Sequence, residues 1–503
     1  MARLLSRRIH IEGMLETTAP MSVGGAGGDV DVDLALARNG EGALYLPGTG
    51  ITGPLRSWVG SVLRKAAATT LFGWMPRKGN EGGHASYWVS EDAVIDGAEP
   101  PIDIRDSVSL DRRQGRSASR FKFTRAVLPQ GTRFKFSAHV DVPVDKADET
   151  LIEETLAHLI TAMEKGEIGY GAARTRGLGD TKLVSRNLWY EDWSCAQGVI
   201  DVLSGKKATY TLRPVRAYQP TQVDVEIEWT SDGPLMVKAP YDTLTVDMLP
   251  MTAHLGRGAT TLAAVLPGSG IKGALRSHAE RIIRTVAGRT ASDNFADQLA
   301  LPIAAKLFGA ARPKGQDTAL GGRGLLTAYD CYGETPFCTT IWQQVLQQTD
   351  TSSLSNELRS QANTLGRWDV AFHVPVDRWT AAPAHLFNAI EPTIAWEPIK
   401  LRFMPRKGAD ADSLPMLALL CLVLQDFKDG KIPLGFGVNR GYGSVRVNEI
   451  KLNVQGRMAC DLGLPDGTIS LEKLLANETA ASRLGQAWSK RLGERDLAPK
   501  VMA

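Results

Sequence analysis

One motif occurs twice in the chain. Leu46 to Arg56 reads LPGTGITGPLR and Leu266 to Arg276 reads LPGSGIKGALR. In each copy a short apolar run leads into a proline, Pro47 or Pro267, then a glycine-bearing turn, then a segment of helical character. The order is strand, turn, helix, and two copies imply a duplicated unit. Glycines at 48, 50 and 53, and at 268, 270 and 273, let backbone N–H groups approach an anion at a helix N-terminus. Arg56, Lys272 and Arg276 add formal charge at the same place. The reading is a pair of phosphate-binding turns, and the plainer alternative is a capped helix start with ordinary turn glycines.

Other parts recur in the same order. Residues 7–16 and 222–229 alternate apolar and polar, as half-buried strands do. LFG stands at 71–73 and at 307–309. A helical stretch at 151–165 is matched by LPMLALLCLVLQ at 414–425, and the glycine loop IGYGAARTRGLGD by LGFGVNRGYGSVRV. The first loop carries Arg174 and Arg176 and the second Arg440. Residues 102–136 read as a long projecting hairpin with a basic, Gly/Ser-rich tip. There Val108-x-Leu110-Asp111-Arg112 matches Val374-x-Val376-Asp377-Arg378, with Phe121 and Phe387 each nine residues further on. Turn proline and LFG are 24 residues apart in the first copy and 40 in the second, so the second carries an insertion around TVAGRTASDNFADQLA. The division that follows is a first unit over 1–190, a connector over 191–220, a second unit over 221–452, and a tail over 453–503 without counterpart, holding a surface or partner-docking helix.

Composition limits the function classes. With 43% hydrophobic and 22% charged residues the 503-residue chain is ordinary globular material. Its net charge is only +3, so a nucleic-acid partner has to be argued from where the cations lie. The five cysteines form no CxxC pair, which suits a reducing, cytoplasmic setting and argues against a disulfide framework or structural zinc. The N-terminus lacks an apolar signal core, and PMLALLCLVLQ is too short to span a bilayer and reads as a buried helix.

These features resemble the RAMP superfamily, the repeat-associated mysterious proteins that build the backbone of CRISPR effector complexes. The LPGSGIKGALR turn, the Asp-Arg hairpin and the GFGVNRGYGSV loop carry the likeness. The fused pair resembles the double backbone subunit of type III-D-like systems. The resemblance implies an α+β fold of two tandem RRM-like, ferredoxin-like domains, each with a β-hairpin thumb that wedges into the guide–target duplex and flips out a target nucleotide. It implies crRNA, target RNA and neighbouring effector subunits as partners, with no membrane. It also places the cleavage residue at an aspartate in the loop before the LPG strand, here Asp33 with Arg38 as the family's arginine. Asp247 is its counterpart, with Pro250 kept and Thr252 where the arginine would stand. From aspartate to turn proline is 14 residues in the first copy and 20 in the second, and Thr52 replaces Lys272 in the first turn.

RNA carries its own nucleophile, so such a nuclease needs a nucleotide whose 2′-OH lines up with its phosphorus. It also needs a carboxylate to accept a proton or hold a divalent ion, Mg2+ or Mn2+. Asp33 and Asp247 are the catalytic candidates, and Asp29, Asp31 and, in the second unit, Asp242 are candidate metal ligands. The plainer reading of each is a solvated or loop-capping aspartate. Arg56, Lys272, Arg276, Arg174, Arg176, Arg440 and Arg38 are the phosphate candidates. Arg112 and Arg378 either brace the hairpins by pairing with Asp111 and Asp377 or touch RNA. Trp379, Phe121 and Phe387 are stacking candidates, with core packing the alternative for the phenylalanines. His10, His254 and His278 show no acid–base spacing and read as structural. Three functions remain open: a guide-directed endoribonuclease, a non-catalytic guide-binding backbone, and a nuclease that trims the guide precursor.

Overall fold

The computed structural model describes residues 4–25, 32–76, 82–216, 218–258, 260–299, 301–310, 322–384, 386–405 and 410–492. Asp29 and Asp31 lie outside the described residues. In β1 (Leu5–Thr17) the alternation buries Ile9, Ile11 and Leu15 against one core. α1 (Gly48–Val62) buries Ile51, Leu55 and Val59, a stripe at helical spacing. Next come β2 (Trp88–Ser90), the hairpin arms β3 (Asp103–Leu110) and β4 (Ser117–Val127), then β5 (Arg133–Pro143). α2 (Lys146–Lys165) starts where the Asp145 carboxylate accepts from the N–H groups of Ala147 and Asp148, at 3.0 Å each. It stops at Gly166, which supplies the left-handed C-terminal conformation. β6 (Thr181–Asp192), α3 (Ala196–Leu203) and the edge strand β7 (Ala208–Thr209) complete the unit.

The second unit repeats the plan. It runs β8 (Gln222–Ser231), β9 (Thr252–Leu255), β10 (Thr261–Leu266), α4 (Gly268–Val286) and β11 (Leu326–Ala328). α5 (Thr339–Leu346) precedes its hairpin, β12 (Arg367–His373) and β13 (Phe387–Thr393), and β14 (Ile399–Phe403), α6 (Asp410–Lys428) and β15 (Val445–Gln455) follow. The two principal sheets have the orders β2-β5-β1-β6-β7 and β11-β14-β8-β15-β16, where β16 is Gly467–Ser470, and every pair in them is antiparallel. Without hairpin and edge strand, each unit is the βαββαβ ferredoxin-like arrangement. Two tandem ferredoxin-like domains are thus present, as the family resemblance implies.

The likeness extends to irregularities. Register shifts between Met14 and Leu15 in the β1–β6 pair, and between Glu228 and Trp229 in the β8–β15 pair. Both glycine loops use four positive-φ residues in the same order: Gly171, Ala173, Gly177 and Gly179, and Gly435, Gly437, Gly441 and Gly443. A Cβ on Gly179 would lie 1.9 Å from the Tyr170 carbonyl oxygen, and one on Gly443 1.9 Å from that of Leu434, so no larger residue fits.

Three expectations change. The tail is not wholly without counterpart, because β16 pairs with β15 as β7 pairs with β6, each after a short helix; only the segment beyond β16, ending in α7 (Glu478–Leu492), is extra. Phe387 corresponds to Phe123 rather than Phe121, since ten residues separate Arg378 from Asn388 and twelve separate Arg112 from Thr124. The first hairpin does not project freely. It lies on the second unit, where Phe121 packs on Phe295 at 4.9 Å and the Gln298 side chain accepts from the Arg112 N–H at 2.7 Å. Phe295 and Gln298 belong to the insertion of the second copy, which therefore serves as a seat for the hairpin.

Candidate nucleic-acid interface

The two aspartates singled out in the sequence occupy equivalent places. Asp33 follows the first strand of its unit, and its Oδ2 accepts from the Thr124 N–H at 2.8 Å and the Thr124 hydroxyl at 3.1 Å. Its own N–H donates to Thr124 Oγ1 at 2.9 Å. Asp247 makes the same clasp with Asn388: Oδ2 accepts from the Asn388 N–H at 3.0 Å, and the Asp247 N–H donates to Asn388 Oδ1 at 3.0 Å. Parallel bridges from Leu34 to Arg125 and from Met248 to Ala389 continue both clasps. Each acidic loop is thereby pinned to the second arm of its hairpin. The Thr124 bonds hold the Asp33 carboxyl below the usual carboxylate range, so it is ionised at neutral pH. Both carboxylates are exposed.

The glycine turns do something other than expected. The Gly48 N–H donates to Asp92 Oδ1 and the Gly268 N–H to Asp330 Oδ1, each at 2.7 Å, so a carboxylate of the protein occupies both helix N-termini. A Cβ on Gly48 would sit 2.3 Å from the Ser90 carbonyl oxygen, and one on Gly268 2.2 Å from that of Ala328. These glycines bring helix and strand together and do not open a phosphate site. The turn arginines explain the LFG motif, because Arg56 donates to the Phe72 carbonyl at 3.3 Å and Arg276 to the Gly309 carbonyl at 2.8 Å. Arg56 is a fastening residue. Lys272 is buried, with Nζ donating to the carbonyls of Leu326 at 2.6 Å and Thr175 at 3.0 Å.

That bond to Thr175 joins the units, for the first glycine loop sits against the second turn. At this seam Arg125, Arg176, Arg276, Lys272 and Arg323 form a run of cations. Burial and Arg176 lower Arg125, and burial and Arg276 lower Arg176. Burial together with Arg176, Arg276 and Arg323 brings Lys272 down to about 7. Such mutual depression marks a field that polyanion would relieve. Arg174 lies at its edge, where burial lowers it and Asp180 opposes the shift. Of the nine predicted RNA contacts, Arg174, Arg176, Lys272 and Arg276 are brought together. Arg125 and Arg323 were missed; Arg125 follows Asp33's partner Thr124 directly in sequence, which only a correct hairpin alignment reveals.

The remaining candidates are placed apart. Arg38 grips Glu99 through both guanidinium nitrogens, at 2.6 and 3.0 Å, and bonds the Gly42 carbonyl, which makes it a loop brace. Arg112 braces the first hairpin, though against the buried Glu280 of α4 at 2.7 Å and not Asp111. Asp111 and Asp377 instead cap their own hairpin tips. Arg440 lies over Phe387 at 4.9 Å in the second unit. Arg378 and Trp379 stand at the exposed tip of the second hairpin, Trp379 with 95% of its surface open. Phe387 is buried, whereas Phe121 packs on Phe295 and still keeps 47% of its surface open. His10 stacks on Trp189 at 3.7 Å, and His278 bonds Asp426 at 2.6 Å between two helices, both structural as read. His254 differs: its Nδ1 lies 2.6 Å from Asp103 Oδ1 in the other unit. Asp242 is exposed, and among the described residues no three His, Cys, Asp or Glu side chains gather as a metal site. No helix of the described residues is long and apolar enough to cross a membrane.

Residues 14–181 and 253–446 each match the model of the RAMP superfamily. Together they make up well over half of the chain and fall on the two structural units. The chain belongs to that superfamily, whose members are CRISPR-associated RNA-binding proteins. No curated protein matches the chain.

Proposed function

Given its membership of the RAMP superfamily, we propose that the chain is a double backbone subunit of a type III CRISPR effector complex, of the tandem kind found in type III-D-like systems. It holds guide crRNA along both units, beside neighbouring backbone subunits, and cleaves complementary target RNA at Asp33 and at Asp247. The observation that carries this reading is the clasp built twice, an exposed carboxylate fastened to a hairpin, together with the run of mutually depressed cations at the seam between the units.

The chemistry follows from the substrate. A target nucleotide turned out of its stack lets its own 2′-OH attack the adjacent phosphorus, and most of the rate comes from that alignment. The seam of Arg125, Arg176 and Arg276 holds the backbone without reading bases. Among the described residues Asp33 engages only Oδ2, which leaves Oδ1 to face the RNA or a cation shared with phosphate oxygens. A divalent cation there, Mg2+ or Mn2+, would supply charge neutralisation at the phosphorus.

The test is a guide-loaded complex with end-labelled target RNA. Asp33→Ala is expected to erase one product and Asp247→Ala another, with target binding retained in the double variant. If the double variant cuts as the parent does, the chain is the non-catalytic backbone, a reading favoured by the way Thr124 and Asn388 engage the carboxylates as loop clasps. Trimming of guide precursor by the isolated chain would assign the third function instead.

A further inference from the structure

Between the first hairpin and the second unit lies a cavity of about 570 Å³. Its walls are apolar where Ile104 meets Met251 and Leu262, and polar where Thr124, His254 and Trp342 face in. The size falls within the range of small-ligand sites and suits one nucleotide. Thr124 is the residue that clasps Asp33, so the cavity adjoins the first acidic site. Trp342 is 3% exposed, and its indole N–H has no hydrogen-bond partner among the described residues. A buried unpaired donor is costly, and an acceptor on an entering ligand would satisfy it.

His254 comes from β9, in the stretch that lengthens the second copy between its aspartate and its turn. Asp103 Oδ1 lies 2.6 Å from Nδ1, and Asp103 Oδ2 accepts from the His254 backbone N–H at 3.2 Å. One carboxylate therefore holds both the ring and its backbone. With Nδ1–H given to the carboxylate, Nε2 is the basic nitrogen, the arrangement in which histidine serves as a proton carrier.

Resting on the cleavage reading above, we propose that this cavity receives one unstacked nucleotide of the target RNA and that His254, oriented by Asp103, takes the proton of its 2′-OH. The O2′–H proton passes to Nε2 as the O2′–P bond forms. The P–O5′ bond breaks with its electron pair on O5′, which takes a proton from water. The resulting hydroxide collects the proton from the imidazolium. The products are a 2′,3′-cyclic phosphate and a 5′-hydroxyl, with nothing consumed. Asp33, ionised and held below the usual carboxylate range, is a weak proton acceptor and would act at the same phosphate by holding a cation that neutralises it. The titratable and charged groups around His254 are Asp103, Tyr241 and, behind Asp103, Arg105 with Asp330 and Tyr332.

The assay is target cleavage by the guide-loaded complex, with the first-site band identified by Asp33→Ala. His254→Asn keeps a donor for Asp103 but cannot carry the proton; it is expected to slow that band about 100-fold or more at unchanged target affinity, and to spare the Asp247 band. It is also expected to remove the acid limb of the pH–rate profile. Added imidazole should restore cutting by His254→Gly. A parental rate and pH profile in His254→Asn would overturn the proposal, as would failure of imidazole rescue in a variant that binds target normally. Pocket entry is read separately by 2-aminopurine placed along the target, whose emission at one position should change when Thr252→Trp fills the cavity; no change at any position refutes the pocket. Should Asp33→Ala leave every band in place, the functional reading falls first, and the 2-aminopurine result still decides whether the cavity takes a base.

Discussion

The two hairpins share a fold and differ in what they touch. The first is seated on the next unit by polar contacts that include Arg112 on Glu280, Arg105 on Asp330 at 2.6 Å, and Asp103 on His254. The second ends in open solvent with Phe372, Val374, Val376 and Trp379 exposed. Asp330 has its copy in Asp92, but Gly60 stands for Glu280 in the first unit and Ala371 stands for Arg105 in the second hairpin. Duplication kept the scaffold and specialised the faces, so the first acidic site is walled by a neighbour inside the chain and the second is not.

On the proposed cleavage reading, that contrast should be sharpest in catalysis. Asp33→Ala is expected to lower the faster of the two target cuts by 100-fold or more, and Asp247→Ala to act only on the slower one; a time course of labelled target in each single variant decides it. Equal parental rates at both sites would show that the wall of the second unit contributes nothing.

Stability should divide in the same way. Glu280 is fully buried among Arg112, Arg276 and Arg284, and losing one member of a buried pair costs about 3–5 kcal/mol. Glu280→Ala is expected to lower the denaturant midpoint accordingly, whereas Gly60→Ala on the matching helix face, with open space about it apart from the Ala68 methyl, should leave it nearly unchanged. A smaller effect is expected on guide binding. Arg176→Ala should weaken affinity and reduce the salt slope by about one, measured by filter binding across salt concentrations. Arg440→Ala should do less, since that guanidinium is partly satisfied by the rings of Phe387 and Phe436.

The mildest difference is in pH. Lys272, at about 7 in the folded chain against 10.5 for a free lysine, opposes folding while it is charged in both states, below about pH 7. As pH rises from 7 towards 10.5 the unfolded chain binds the extra proton and stability rises. Chemical melts between pH 6.5 and 9 should show that rise in the parent and its loss in Lys272→Met, with Thr52, the matching residue of the first unit, giving no such dependence.

Much of this architecture can be read from the amino-acid order because it is local. Alternation gives β1 and β8, the glycine loops announce their positive φ angles, and LPG twice in the same setting signals a duplicated fold. The equivalence of Asp33 and Asp247 came from family likeness, and their clasps to Thr124 and Asn388 were hidden by a hairpin two residues shorter in the second unit. The basic turns misled because charge alone does not say which cation finds an acid. Arg38 meets Glu99, Arg112 meets Glu280, and His254 meets Asp103 across 151 residues. No spacing rule reaches that far.

The seating of the first hairpin also bears on the order in which the molecule matures. While the ribosome has released only the first 200 or so residues, Arg105 and Arg112 have no carboxylate to meet, because Glu280 and Asp330 are still to be made. The early half therefore emerges with a loose basic arm, and the cavity lined by both halves becomes whole only after the later half has been made. A nascent chain stalled before residue 280 should accordingly be cut by protease within the 103–127 arm, and one stalled after residue 460 should resist.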